Sequence, residues 1–284
     1  MVSGLISWDC PLSTAKVMNS RGFFFSSSPN SAMDSLLDHQ FERLSPLEKE
    51  VMYLTCINRE AVGSGDLQSD ILPGVSKADL LESLESLTWR SLIEKTKDAV
   101  TRSVTFTQQP VVMEYMTNRL VKTICQEIKT GKVNLLNRYP LIKFTAQDYI
   151  KQSQIMFLIK PILANLTVNF KLSTEIEQKI KNHLEKLGDN FSGTPGYCGV
   201  NLVNLLQQLE ADLTNYHFSS LKLWQSNLEN INLNQGKFSN TNVNKSVINE
   251  VLAKSVCVDF NPDETTSNSD VNDDIDLEYF AFSS

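Results

Sequence analysis

Between Phe218 and Ile248 an apolar residue returns at every fifth position: Phe218, Leu223, Leu228, Leu233, Phe238, Val243 and Ile248. In a chain that is 41% hydrophobic, a run of this kind in any of the five phases arises by chance on the order of 1% of the time. A period of five matches neither the helical repeat of 3.6 nor the alternation of a flat strand. It suits a short pentapeptide β-solenoid of square section, in which each pentapeptide makes one side and its central residue points inward. Asn227, Asn230, Asn232, Asn234, Asn240, Asn242 and Asn244 fit amide ladders stacked between the coils. At about 20 residues per coil the run supplies about two coils, fewer than the three or more units that repeat arrays usually need. The solenoid therefore has to lean on its neighbours.

Those neighbours read as helices and a hairpin. Residues 1–32 carry Trp8, Pro11 and the cluster FFFSSSPNS with no sustained period, and read as irregular. Organised sequence begins near Met33. In SPLE, Ser45 is placed as an N-cap, Pro46 at the first helical position and Glu48 as the reciprocal capping partner. Leu47, Val51, Leu54 and Cys56/Ile57 then mark one helical face. A turn at Gly63–Gly65 leads to a brief helix around 66–70. Ser76 caps a third helix with Leu80, Leu81, Leu84 and Leu87 at helical spacing. Extended segments at 91–94 and 103–107, with a polar turn between them, complete the order expected of a winged-helix module over 33–110. Its fold-defining residues are Leu47, Val51, Leu54, Leu80, Leu84 and Leu87.

From 111 to 192 the pattern is a helical array. Val112, Tyr115/Met116, Leu120 and Ile124 form one stripe, a second runs over 175–187, and Pro140 and Pro161 punctuate it. GTPGYCG at 193–199 reads as a linker. A helix and the solenoid fill 200–252, and 253–284 is an acidic tail whose composition does not favour order. The expected fold class is therefore mainly α, with an α+β winged helix, a helical array, a short solenoid and a disordered tail.

Charge limits the partners. The chain has 26 Lys and Arg against 33 Asp and Glu, but eight of the acids and none of the bases lie from Asp259 onward. The body is thus near +1, without the basic field of a protein built to grip phosphates. Residues 41–110 hold 8 basic and 11 acidic side chains, and the third helix sets Lys77 and Arg90 against Asp79, Glu82 and Glu85. Lys95, Lys97 and Arg102 on the hairpin are ordinary for a solvated turn. Residues 110–190 carry 12 basic and 7 acidic side chains. A DNA-binding regulator is consequently the second reading, and a protein-packing role is the first.

Chemistry-bearing motifs do not accumulate. Cys10, Cys56, Cys125, Cys198 and Cys257 lie 46 to 73 residues apart without a CxxC pair, which reads as buried thiols in a reducing compartment. His39, His183 and His217 are dispersed, so no metal is expected. Asp270, Asn272, Asp274, Asp276 and Glu278 mimic a calcium loop, but Ile275 stands where the turn needs glycine and Ala281 where it needs glutamate. Neither Gly131-Lys132 nor Gly236-Lys237 continues into a phosphate loop, and neither GxSxG nor HExxH occurs. The reading is non-enzymatic, without a cofactor. A bilayer-spanning helix needs about 20 apolar residues, which no segment offers, and residues 1–21 do not read as a secretory signal; a cytoplasmic location is expected.

The segments SPLEKEVMYLTCINRE, VSKADLLESLESLTWRSLIEK and TFTQQPVVMEYMTNRL resemble the winged-helix stretch after the NB-ARC nucleotide-binding module of large cyanobacterial WD40-repeat signalling proteins of the STAND type. The resemblance runs on through YPLIKFTAQDYIKQSQIMFLIKPIL and GYCGVNLVNLLQQLEADLTNYHFSSLKLWQSNLENINL to SVCVDFNPDE, which is similar to a first WD40 strand. It covers about Met33 to Glu264. Glu264 departs from the glycine of the family pattern, and no position matches its phosphate loop, so nucleotide binding is not implied. What the resemblance implies is a regulatory protein-interaction module that links a nucleotide switch to a WD40 sensor. Its expected partners are related nucleotide-binding or WD40 domains. A standalone partner protein and a truncated gene product both agree with this reading.

Overall fold

A computed structural model describes residues 32–71, 75–97, 103–143, 145–170, 173–190 and 196–213. The described part is mainly helical, with one small antiparallel sheet. The solenoid positions Phe218 to Ile248, the acidic tail, His217 and Arg102 lie outside the described residues.

Helix α1 (Ala32–Glu42) leads into α2 (Pro46–Asn58). The start of α2 follows the sequence signature: the Glu48 amide donates to Ser45 Oγ, and the Ser45 amide donates to Glu48 Oε2 at 2.7 Å. Strand β1 (Val62–Gly63) and helix α3 (Ser64–Asp70) occupy the expected turn at 63–65, where Gly63 is the N-cap of α3. Helix α4 (Lys77–Trp89) starts at Ser76, whose Oγ accepts the Asp79 amide. Strands β2 (Ile93–Lys97) and β3 (Val104–Gln108) follow. The expected strands sit two residues early at β2 and one at β3. The sheet order is β1-β3-β2, with Val62 opposite Phe106 and Ile93 opposite Gln108.

Helix α5 (Pro110–Thr130) buries Val112, Tyr115, Met116, Leu120 and Ile124, the stripe read from spacing. It ends at Gly131, whose φ of +77° favours glycine; a Cβ there would also crowd His183. Short helix α6 (Leu135–Arg138) is capped from a distance, because the Glu127 carboxylate accepts the amides of Asn134, Leu135 and Leu136. Pro161 does not interrupt its helix. Helix α7 (Asp148–Gln154) passes through a π-helical turn, Ile155–Ile159, straight into α8 (Lys160–Asn169). A proline ring would clash with the carbonyl four residues upstream in a regular α-helix, and the wider turn removes that conflict.

Helix α9 (Ser173–Asn190) buries Ile176, Ile180, His183 and Leu184. The expected linker at 193–199 is replaced at its end by α10 (Cys198–Gln208), in which Cys198 through Leu206 are all buried. Glycine content misled here. Gly196 lies where a side chain would collide with Asn137, and Gly199 sits inside the packed helix. One apolar core runs from Leu37 to Leu213 through the described residues.

Candidate interaction face

Helix α4 has two faces set by its phase. Leu80, Ser83, Leu84 and Leu87 recur at i, i+3, i+4 and i+7 and are buried against α2, α3 and β2. On the opposite side, Ala78, Glu82, Glu85 and Trp89 form a row at i, i+4, i+7 and i+11, all exposed. Trp89 is 88% exposed. Leu81, which its spacing had grouped with the buried leucines, is 40% exposed beside that row. Asp79 is engaged at the helix start, where Ser76 Oγ donates to it. Glu82 and Glu85 form no ion pair among the described residues. The outer face of α4 is therefore acidic around an aromatic ring.

Several other polar groups hold the elements together. The Glu50 carboxylate on α2 is buried and takes both Nε and Nη2 of Arg138, the latter at 2.7 Å. That hydrogen bonding raises the Arg138 pKa above its ordinary value, against its partial burial. Lys143 Nζ reaches Asp70 Oδ2 at 2.7 Å. Gln154 donates to the Ile57 carbonyl and accepts the Lys143 amide, tying α7 to the end of α2. Arg59, at a φ of 61°, donates to Thr117 Oγ1 and stacks 4.4 Å above the Phe157 ring. Arg119 on α5 bridges Asp38 and Glu42 of α1 while lying over Phe41. Asn201 of α10 donates to the carbonyls of Leu136 and Tyr139 and accepts the Leu141 amide.

The three described cysteines are buried, and burial holds their thiols protonated. Burial raises the Cys56 pKa, partly offset by the Thr117 hydroxyl and Arg59. Burial pushes Cys125 and Cys198 up to about 12. His183 places Nε2 2.6 Å from the Ile128 carbonyl, so that ring nitrogen serves the end of α5. Among the described residues no three His, Cys, Asp or Glu side chains gather where a metal ion could sit. Likewise, no single described helix is long and apolar enough to cross a membrane.

Of the residues chosen from sequence, Val51, Leu54, Leu80, Leu84 and Leu87 come together between α2 and α4, and Leu47 packs against them half-buried. Trp89 escaped the sequence reading. Its phase, opposite Leu80 and Leu87, was the signal that could have found it.

No family model matches the chain. Over an alignment of 261 residues, covering 80% of this chain, it is 34% identical to an uncharacterized WD repeat-containing protein of the cyanobacterium Nostoc sp.. The chain spans 20% of that relative's length. Among solved structures, the adhesin competence repressor of Streptococcus pyogenes is similar at a TM-score of 0.25 and 16% identity, over 37% of this chain and 78% of the repressor. That likeness is too slight to inform the fold.

Proposed function

We propose that the chain is a non-enzymatic protein-interaction module, equivalent to the part of a STAND-type signalling protein that links an NB-ARC nucleotide switch to a WD40-repeat sensor. The observation that carries this reading is the 34% identity over 261 residues to a protein that bears WD repeats. Helices α2, α3 and α4 followed by the β2–β3 hairpin, with α1 ahead of them and β1 completing the sheet, support reading 33–110 as a winged helix packed on a helical array. The five-residue period at 218–248 supports a short solenoid beyond it. Buried thiols of raised pKa and a histidine bonded to backbone carbonyl support a chain without chemistry of its own.

The acidic outer face of α4 argues against reading DNA with that helix, because its carboxylates would meet phosphate with repulsion instead of counterion release. The test is a calorimetric titration of this chain with the separately prepared WD-repeat portion of the Nostoc relative. A saturable complex is expected. Salt-dependent retention on duplex DNA, without binding to the WD-repeat portion, would replace this reading with a DNA-binding regulator.

A further inference from the structure

The outer face of α4 is a surface without an occupant among the described elements. A tryptophan 88% exposed at the end of a well-packed helix is not required by the fold, since Leu80, Leu84 and Leu87 already fasten the helix to the core. Trp89 is preceded on the same row by Glu85 and Glu82, one and two turns back, with Leu81 alongside. Aromatic anchors ringed by polar groups are what protein interfaces concentrate their binding on. The sign of the charge selects among occupants. Two carboxylates beside the ring, without an ion pair among the described residues, disfavour nucleic acid and anionic lipid alike, and favour Lys and Arg. A cation can also sit over the tryptophan face while pairing with Glu85. The hairpin lysines Lys95 and Lys97 belong to β2 and are not on the α4 row.

We infer that the Leu81–Trp89 stripe of α4 docks a cationic amphipathic helix of a partner protein. The partner's apolar row covers Leu81 and Trp89, and its Lys or Arg residues face Glu82 and Glu85, in the manner of two helices laid side by side. This rests on the protein-interaction reading and supplies the chemistry of the partner's contacting segment.

The probe is a fluorescein-labelled synthetic helical peptide with leucine on one face and lysine on the other, titrated with the full chain and followed by anisotropy. Saturable binding is expected, weakening as salt screens the carboxylates. Trp89→Ala should weaken it by about tenfold or more. Glu82→Lys combined with Glu85→Lys should weaken it by about tenfold and remove the salt dependence. Glu175→Lys, at an exposed position on α9, should leave it unchanged. Thermal melts verify that each variant is folded. Failure of the wild-type chain to bind the peptide, or equal binding by the Trp89→Ala chain, overturns the inference. The titration with the WD-repeat portion decides the broader reading separately, so a partner that binds through another face leaves that reading standing while this one falls.

Discussion

Helices α2 and α4 are each 13 residues long and each begin at a serine cap, yet they end up in opposite roles. Between Glu48 and Asn58 every side chain of α2 except Lys49 is buried, because α3, α4, α5, α7 and β3 surround it. Only one side of α4 is buried, and the other ends in an exposed tryptophan. The difference does not lie in composition, since both helices mix leucine with glutamate. It lies in where the carboxylates find partners. Glu48 takes the Ser86 hydroxyl at 2.6 Å and Glu50 takes Arg138, so both can be buried. Glu82 and Glu85 have no such partner among the described residues and are exposed. A helix buried all round is a scaffold; one that keeps charges and an aromatic ring outside has surface to offer.

The largest effect should come from breaking the shared interface of the two helices. Leu84, on the inner face of α4, is fully buried. Leu84→Asp sets an uncompensated carboxylate in the core and should cost about 4 kcal/mol or more, enough to unfold a domain of ordinary stability. Leu54→Asp should do the same from the α2 side. Loss of the cooperative melt followed by circular dichroism is the readout. A folded Leu84→Asp chain would mean that α4 packs less firmly than its burial indicates.

A smaller loss follows from stranding one carboxylate of α2. Arg138→Met leaves Glu50, with its side chain 7% exposed, without its cation. Removing one partner of a buried pair costs about 3–5 kcal/mol, and the 39% exposure of the Arg138 side chain reduces this to about 2 kcal/mol. Adding Glu50→Leu should recover most of it. A urea titration of the single and double variants reads both numbers. No recovery would show that Glu50 has further partners at the centre of the fold.

Acid should weaken α2 through Glu48. Burial raises the Glu48 pKa, but the Ser86 hydroxyl and the Ser45 amide and hydroxyl outweigh it, leaving the group below the ordinary carboxylate value. A carboxyl depressed in the folded state contributes stability above its unfolded pKa and loses it as pH falls through the folded value. Melting temperature should therefore decline as pH drops from about 5 toward about 3, and Glu48→Gln should flatten that decline. An unchanged slope in the variant would assign the acid sensitivity to other carboxylates.

Much of this difference was not visible along the chain. The serine caps and the Leu80, Leu84, Leu87 spacing are local, and local signals were legible. Full burial of α2 was not, because Arg138 is 88 residues from Glu50 and Gln154 is 97 residues from the Ile57 carbonyl it meets. Strand β1 is two residues long and hides under a glycine turn signal, and what makes it a strand is pairing with Phe106 and Thr105 across the sheet. In β2, IEKTK has a single buried apolar residue, so alternation could not fix its register. Likewise α10 opens with Cys198 and Gly199, which composition assigned to a linker and packing assigned to the core.

The smallest effect is the most discriminating. Trp89→Ala should change the melting temperature hardly at all, by less than about 0.5 kcal/mol of stability, because the ring lies outside the core. Leu84 and Trp89 sit five residues apart on one helix, yet the first substitution should abolish folding and the second should weaken only binding. A measurable destabilisation by Trp89→Ala would place the ring against another part of the chain, and α4 would then join α2 as scaffold. Equal stability with weakened binding keeps the two helices distinct, because it separates what α4 gives to the fold from what it offers a partner.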